Sequence, residues 1–199
     1  MRIINIISQV LFYMGLLLKL FHIHYNAILI LIGLVGVVIS LIVGVLKKQQ
    51  KATLLLTLAN FGWLLLVFVS VKFLPIQSVI LIVAALLTLV AAVFIIRAGH
   101  PKRLLPILIT IPIALFFYFL PTHERYRILC INWNYEIETD YITWDKYSWF
   151  LYQNDEFAKA LEASTKARTI ADQLEDSDWV QLIDAHHEAI VARAWEKYR

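Results

Sequence analysis

Apolar residues fill roughly the first 120 positions in long unbroken blocks, neither alternating nor confined to one helical stripe. That pattern belongs to helices surrounded by hydrocarbon. A helix needs about 20 apolar residues to cross a bilayer core. Five blocks approach that length, at about 3–21, 27–46, 52–74, 78–96 and 104–120. The second and fourth contain no charge. Asn5, Ser8, Gln9 and Lys19 interrupt the first, with Lys19 close enough to its end to carry the ammonium to the interface. Pro75 marks the turn between the third and fourth blocks. In the fifth, Pro106 falls in the first turn, where a missing N–H is harmless. Pro112 is interior and predicts a kink, with Thr110 able to hydrogen-bond nearby backbone. The run Phe116-Phe117-Tyr118-Phe119 reads as an interfacial aromatic belt.

The pattern changes after Pro121. Residues 122–139 give mixed signals, including a β-leaning aromatic stretch from Tyr126 to Ile137, and read either as an irregular linker or as a helix entering a domain. From Asp140 the periodicity is helical. One helix is expected over about 140–153, a turn at Asn154-Asp155, and a second helix over about 155–174. Phe157, Ala160, Leu161, Ser164, Ala167, Ala171 and Leu174 share one face of that second helix. A third should start near Ser177/Asp178 and run to about Tyr198, with Trp179, Ile183, His186, Ile190 and Ala194 along one stripe. The predicted fold is all-α: a polytopic membrane domain over 1–121 with about five transmembrane helices (two helical hairpins plus one), a juxtamembrane linker over 122–139, and a soluble helical domain over 140–199.

Composition agrees, since 60% of the 199 residues are hydrophobic and the mean hydropathy is +0.70, against about half apolar in soluble domains. The charge distribution adds more. All 15 acidic residues lie at or beyond Glu124, whereas residues 1–121 carry nine basic residues and no carboxylate. The loops Lys47–Lys51 and Arg97–Arg103 hold most of that positive charge and fall on one side, so they are expected to be cytoplasmic. The tail is then expected on the extracytoplasmic side of a bacterial inner membrane, in a multi-pass protein. The net charge of +3 gives no reason to expect a nucleic-acid partner, because the basic residues sit in short loops. One cysteine, Cys130, excludes an intramolecular disulfide or a cysteine-cluster metal site.

Small residues recur four apart in two blocks: Gly36, Ser40 and Gly44 in the second, and Ala84, Thr88 and Ala92 in the fourth. They suggest helix-packing seams, within the chain or between protomers of a homo-oligomer.

In the tail, Trp144-x2-Tyr147-Ser148-x2-Leu151 is followed by Phe157, Ala160 and Ala167. This pattern resembles a tetratricopeptide repeat, with Tyr147, Leu151 and Ser164 departing from it. The resemblance implies a helical pair that crosses at Ser148, Ala160 and Ala167 and binds a protein partner, through a groove lined by side chains such as Asp145 and Tyr152. An unrelated three-helix bundle is the competing reading. Near the N-terminus, Gly15-Leu-Leu-Leu-Lys19-Leu-Phe-His22 before an apolar helix is similar to the first hairpin of the GldL family, stator subunits of gliding and type IX secretion motors. Lys19, His22 and Ala27 fit that outline, but Ile23-His24-Tyr25-Asn26 replaces the family's Trp-Pro-Gly. Such motors use a membrane carboxylate, which residues 1–121 lack, so the likeness implies a shared hairpin without an ion-driven motor.

No catalytic constellation or phosphate loop is legible, and no metal site or cofactor is expected. His22 and His24 read as interfacial polar residues, His186 as a core or interface residue, His187 with Asp184 as a local surface pair, and His123-Glu124-Arg125 as membrane-flanking charge. The function expected is therefore non-enzymatic: a membrane-anchored scaffold or adaptor in a bacterial envelope complex, embedded in the lipid bilayer and holding a protein partner through its C-terminal helices. The alternative is a small transporter or channel component for a neutral or lipid-like substrate, with a thin polar inventory of Thr57, Asn60, Ser40, Thr88 and Thr110 in the spans.

Overall fold

The computed structural model describes residues 2–132 and 134–196, which form helices, turns and loops with no strand among them. The chain divides into two compact units between Leu120 and Pro121, apart from Leu20–His22, which group with the second.

The first unit contains α1 (Arg2–Leu20), α2 (Asn26–Leu46), α3 (Lys51–Val71), α4 (Gln77–Arg97) and α5 (Leu105–Phe119), the last entered through a 3-10 turn at Pro101–Leu104. These are five helices long and apolar enough to cross a membrane, at the positions the apolar blocks predict. The central one is α3, with 56% of its apolar window buried against 17–28% for the others. It packs against α4, α5 and α2 and turns Thr57, Asn60 and Ser70 inward with Leu64, Leu66 and Val67. In contrast α4 leaves Val79, Ile82, Leu86, Leu89 and Val93 about half exposed, a face suited to hydrocarbon. The α5 helix runs through Pro112 without interruption. Two residues earlier, the Thr110 hydroxyl lies 3.1 Å from the Pro106 carbonyl.

The second unit begins with α6 (Thr122–Tyr126), which continues as a π turn over Arg127–Ile131. The stretch that leans toward β in sequence is thus helical as far as Ile131. Its aromatic content is used in packing: Tyr126 is buried, stacked against Tyr147 at 6.3 Å and tilted against Phe150 at 4.8 Å. Burial overrides local preference here. Beyond it lie α7 (Tyr141–Gln153), α8 (Phe157–Gln173) and α9 (Ser177–Val191).

Asp140 caps α7 by accepting from the Thr143 N–H at 2.9 Å, and Asp176 caps α9 by accepting from Trp179 at 3.3 Å. The α7–α8 pair crosses over small residues, Ser148, Ala160 and Ala167 all being fully buried. Ala167 and Ala171 then meet Ile183 of α9. The third helix is shorter than its periodicity predicts. The chain turns left-handed at Arg193 (φ 51°), with the Arg193 and Ala194 N–H groups bonded to Ile190 and Ala189 carbonyls, so exposed Ala194 lies beyond the helix. Tyr198, to which that helix was expected to run, lies outside the described residues.

Candidate functional site

All five membrane-type helices bring an end to the same side as the two basic loops: the N-termini of α1, α3 and α5 and the C-termini of α2 and α4. At this end α1, α2, α3 and α5 enclose an open cavity of about 580 Å³. Its walls are polar for helices of this composition. Asn5 and Gln9 come from α1, Ser40 from α2, and Thr53, Thr57 and Asn60 from α3. Ile6, Leu56, Pro106 and Ile107 provide apolar surface between them, while Lys48, Lys102 and Arg103 stand at the mouth.

The α3 contribution follows from spacing. Thr53, Thr57 and Asn60 are four and three apart, so they stack on one helix face. Asn60 is only 2% exposed and is oriented from behind by a hydrogen-bonded relay. Tyr13 donates to Thr110 Oγ1 at 2.7 Å, and the Thr110 hydroxyl lies 3.1 Å from Asn60 Oδ1. That arrangement leaves the other end of the amide, Asn60 Nδ2, buried with no partner among the described residues. Gln9, 8% exposed, leaves Nε2 in the same condition, and Asn5 leaves Oδ1. Each such atom costs about 1–3 kcal/mol when left dry. Three around one cavity give it a polar lining whose hydrogen-bonding capacity the described residues do not fill.

The electrostatics have one sign. No carboxylate exists in residues 1–121. The Arg103 guanidinium reaches Gln50 Oε1 at 3.3 Å, while Lys48, Lys102 and Arg103 are all exposed. No carboxylate, imidazole or thiol lines the cavity.

The small-residue motifs partition between packing and this site. A Cβ on Gly36 would collide with Ser8 Oγ of α1, and one on Gly33 would lie 2.7 Å from the Ser8 carbonyl oxygen. On α1, a Cβ on Gly15 would lie 2.7 Å from the Ile30 nitrogen. The α1–α2 approach therefore uses Gly15, Gly33 and Gly36, whereas buried Ser40 lines the cavity and Gly44 is buried near the helix end. In the second hairpin Ala84 is fully buried against Gly62, and Thr88 accepts from the Trp63 indole N–H at 2.8 Å while donating to the Ala84 carbonyl. Ala91, not Ala92, continues the buried line, because seven residues make nearly two whole turns and eight overshoot. At the opposite end Lys19 borders a crevice of about 60 Å³ with Phe12, Leu16 and Lys72, and His22 takes a left-handed turn conformation (φ 52°).

The tail resolves differently from its expected groove. Asp145 and Tyr152 are buried, 6% and 2% exposed. His186 Nδ1 lies 2.9 Å from Asp145, and Trp195 stacks on His186 at 4.6 Å and tilts against Tyr152 at 5.9 Å. The Gln153 side chain donates to the Glu196 carbonyl at 2.7 Å, tying down the returning segment. The chain fills its own groove. Burial, only partly offset by His186, raises the Asp145 carboxyl above its ordinary value. Trp144 donates to the Ile137 carbonyl at 3.1 Å and carries the Lys166 ammonium over its ring; Tyr147 and Leu151 are buried, and Phe157 packs on Tyr152.

One surface expectation is corrected. Asp184 pairs with Arg168 at 2.6 Å, a guanidinium being the stronger partner, and makes no pair with His187. His123 and Arg125 are buried, with only Glu124 of that trio more open and bridged to Arg127 at 2.7 Å. Among the described residues no group of three or more His, Cys, Asp or Glu side chains is placed to hold a metal ion.

No protein-family model, curated protein or solved structure matches the chain.

Proposed function

We propose that this is a membrane protein whose helix bundle binds the polar end of a small amphiphilic ligand in the cavity between α1, α2, α3 and α5, and that it does so without catalysing a reaction. The observation that carries the proposal is the convergence of unpartnered, deeply buried Gln9 and Asn60 amides on one open cavity. Polar groups buried without a partner inside a membrane bundle are costly, which supports a functional reading. The non-catalytic part is supported by a lining of amides and hydroxyls with lysine and arginine only at the mouth, which offers no paired acid and base. The excess of positive charge at that end supports a cytoplasmic opening, and on that reading the tail would face the other side.

Native mass spectrometry of the full chain released from mild detergent tests this reading. A small molecule or lipid should remain bound at energies that strip the loose lipid shell, and the double variant Gln9→Leu, Asn60→Leu should lose it. A chain that emerges bare under every extraction condition would refute the proposal.

The scaffold reading keeps one observation in its favour. The stack α7–α8–α9, with Ser148, Ala160 and Ala167 at its crossings, is the arrangement a tetratricopeptide-like pair with a capping helix would adopt. A partner using its groove must displace Trp195. Deleting residues 140–199 should then leave insertion intact and abolish co-purification of the partner; unchanged co-purification would remove this reading.

A further inference from the structure

The cavity's chemistry also specifies its ligand, an inference that rests on the binding reading above. The geometry points to an anionic headgroup of phosphate type that carries a hydroxyl of its own, received with its charge toward Lys48, Lys102 and Arg103 and its uncharged part among Gln9, Asn60 and Asn5.

Lysine and arginine only donate, and no acidic side chain exists in residues 1–121 to neutralise them or attract a cation. Deeper in, the unpartnered groups Asn60 Nδ2 and Gln9 Nε2 are also donors. Thr110 fixes the Asn60 amide with its oxygen turned away, which leaves the NH2 for the ligand. Three cations suit the several acceptor oxygens of a phosphate and reject an ammonium, and the two amide donors suit the neutral oxygens of the group attached to it. The exception is informative: Asn5 Oδ1 is an unpartnered acceptor at the same cavity. A ligand that satisfies it must supply an O–H or N–H, which a phosphodiester alone lacks and a glycerol-type hydroxyl or a phosphate monoester provides. Ile6, Leu56, Pro106 and Ile107 give an attached carbon chain apolar surface to lie on. The volume, about 580 Å³, falls in the range of small-molecule sites.

The test uses the full chain in a neutral detergent and three probes: dihexanoylphosphatidylglycerol, dihexanoylphosphatidylcholine and inorganic phosphate, with affinities read by thermophoresis. The glycerol lipid should bind at least tenfold tighter than the choline lipid. Its affinity should fall at least tenfold in Asn60→Leu, which leaves every basic loop intact, and should weaken with added salt in the native chain. Should Asn60→Leu not fold, Gln9→Leu, which also leaves every basic loop intact, carries the same test. Inorganic phosphate binding as tightly as the glycerol lipid would support the chemistry and assign the source to a free phosphate. Equal affinity for both lipids, lost in Asn60→Leu, would overturn the anionic assignment while leaving the cavity a binding site. Glycerol-lipid binding indifferent to both Asn60→Leu and Gln9→Leu would place the contact on the loops and overturn the site. If no probe binds, the assignment is overturned, and the co-purified species seen by mass spectrometry decides the broader reading separately.

Discussion

The crossing of α3 and α4 offers a quantitative test of the bundle. A Cβ added at Gly62 would lie 3.0 Å from Ala84 Cβ and 3.3 Å from Ala84 Cα. Carbon atoms prefer about 3.5–4.0 Å, so Gly62→Ala forces the helices apart by something over half an ångström at their closest point. A gap of about 0.5–1 Å forfeits a quarter to a half of the dispersion well for each contact along the seam. Overpacking of this kind costs about 1–3 kcal/mol. The alanine would recover about 1 kcal/mol of helix propensity in water, but a membrane helix stays helical when its neighbours leave, so most of that gain is absent. The expected net loss is about 1–2 kcal/mol. Ala84→Gly in the same chain transfers the methyl from one side of the contact to the other and should restore most of it, giving a coupling of about 1–2 kcal/mol between sites that touch. Thermal unfolding of the full chain in detergent, followed by near-ultraviolet circular dichroism, which reads the packing of rings such as Trp63 at this seam, measures all four corners of the cycle. A Gly62→Ala chain as stable as the native one, or effects that merely add, would refute the crossing.

Three further expectations concern the tail. Trp195→Ala removes a half-buried ring from His186 and Tyr152 and should cost about 1–2 kcal/mol, a fraction of the roughly 3–5 kcal/mol for a fully buried aromatic; unchanged near-ultraviolet circular dichroism and unfolding temperature would contradict the filled groove. Burial holds the Asp145 carboxyl above its ordinary value, so the folded chain keeps a proton that the unfolded chain releases, and stability falls as pH rises through that window. Asp145→Asn, still able to accept from His186, should therefore be more stable than the native chain at pH 7, and the difference should vanish below about 3.9, the ordinary aspartate value; a gap that widens with acid would reverse the sign. Finally, Cys130, the only thiol, lies in the π turn after α6 and is partly exposed. A membrane-impermeant maleimide should label it in intact spheroplasts if the tail faces outward, whereas labelling only after lysis would place the tail in the cytosol.

The sequence made the bundle legible because hydrocarbon imposes a strong and simple constraint: about 20 apolar residues per crossing, with polar ones inside. The five helix positions follow from that alone. Part of the site was legible too. Thr57, Asn60 and Ser40 stand out as polar residues within apolar blocks, and Thr53 extends the α3 line by one turn. Asn5 and Gln9 read as interruptions that weaken the first span, when in the structure they are what it contributes to the cavity. The signal was present in their spacing of four, which aligns them on one face, but only packing shows that this face meets Ser40 and Asn60. Periodicity also overextended α9, since an apolar stripe continues past the point where Arg193 turns the chain back. The same reversal hid the burial of Asp145 and Tyr152. A groove that belongs to a single repeat by its residues is occupied by a segment some 40 positions later, a long-range event with no local mark.

The division of labour within the cavity has a physical logic. Placing lysine or arginine deep in the bundle would carry a desolvation penalty of several kcal/mol per ion while the site stood empty. Unpartnered amides cost about 1–3 kcal/mol each when dry, and less once water enters an open polar cavity of this size. Charges kept in water at the mouth attract an oppositely charged head over about a Debye length at little cost to the fold. Neutral donors held inside by Thr110 and the helix walls contribute only when a matching group arrives to replace water. A bundle with no acidic side chain can therefore stay stable when unoccupied and still discriminate when bound. On the proposed reading it is the neutrality of Gln9 and Asn60, more than the charge of the loops, that would make this cavity a site.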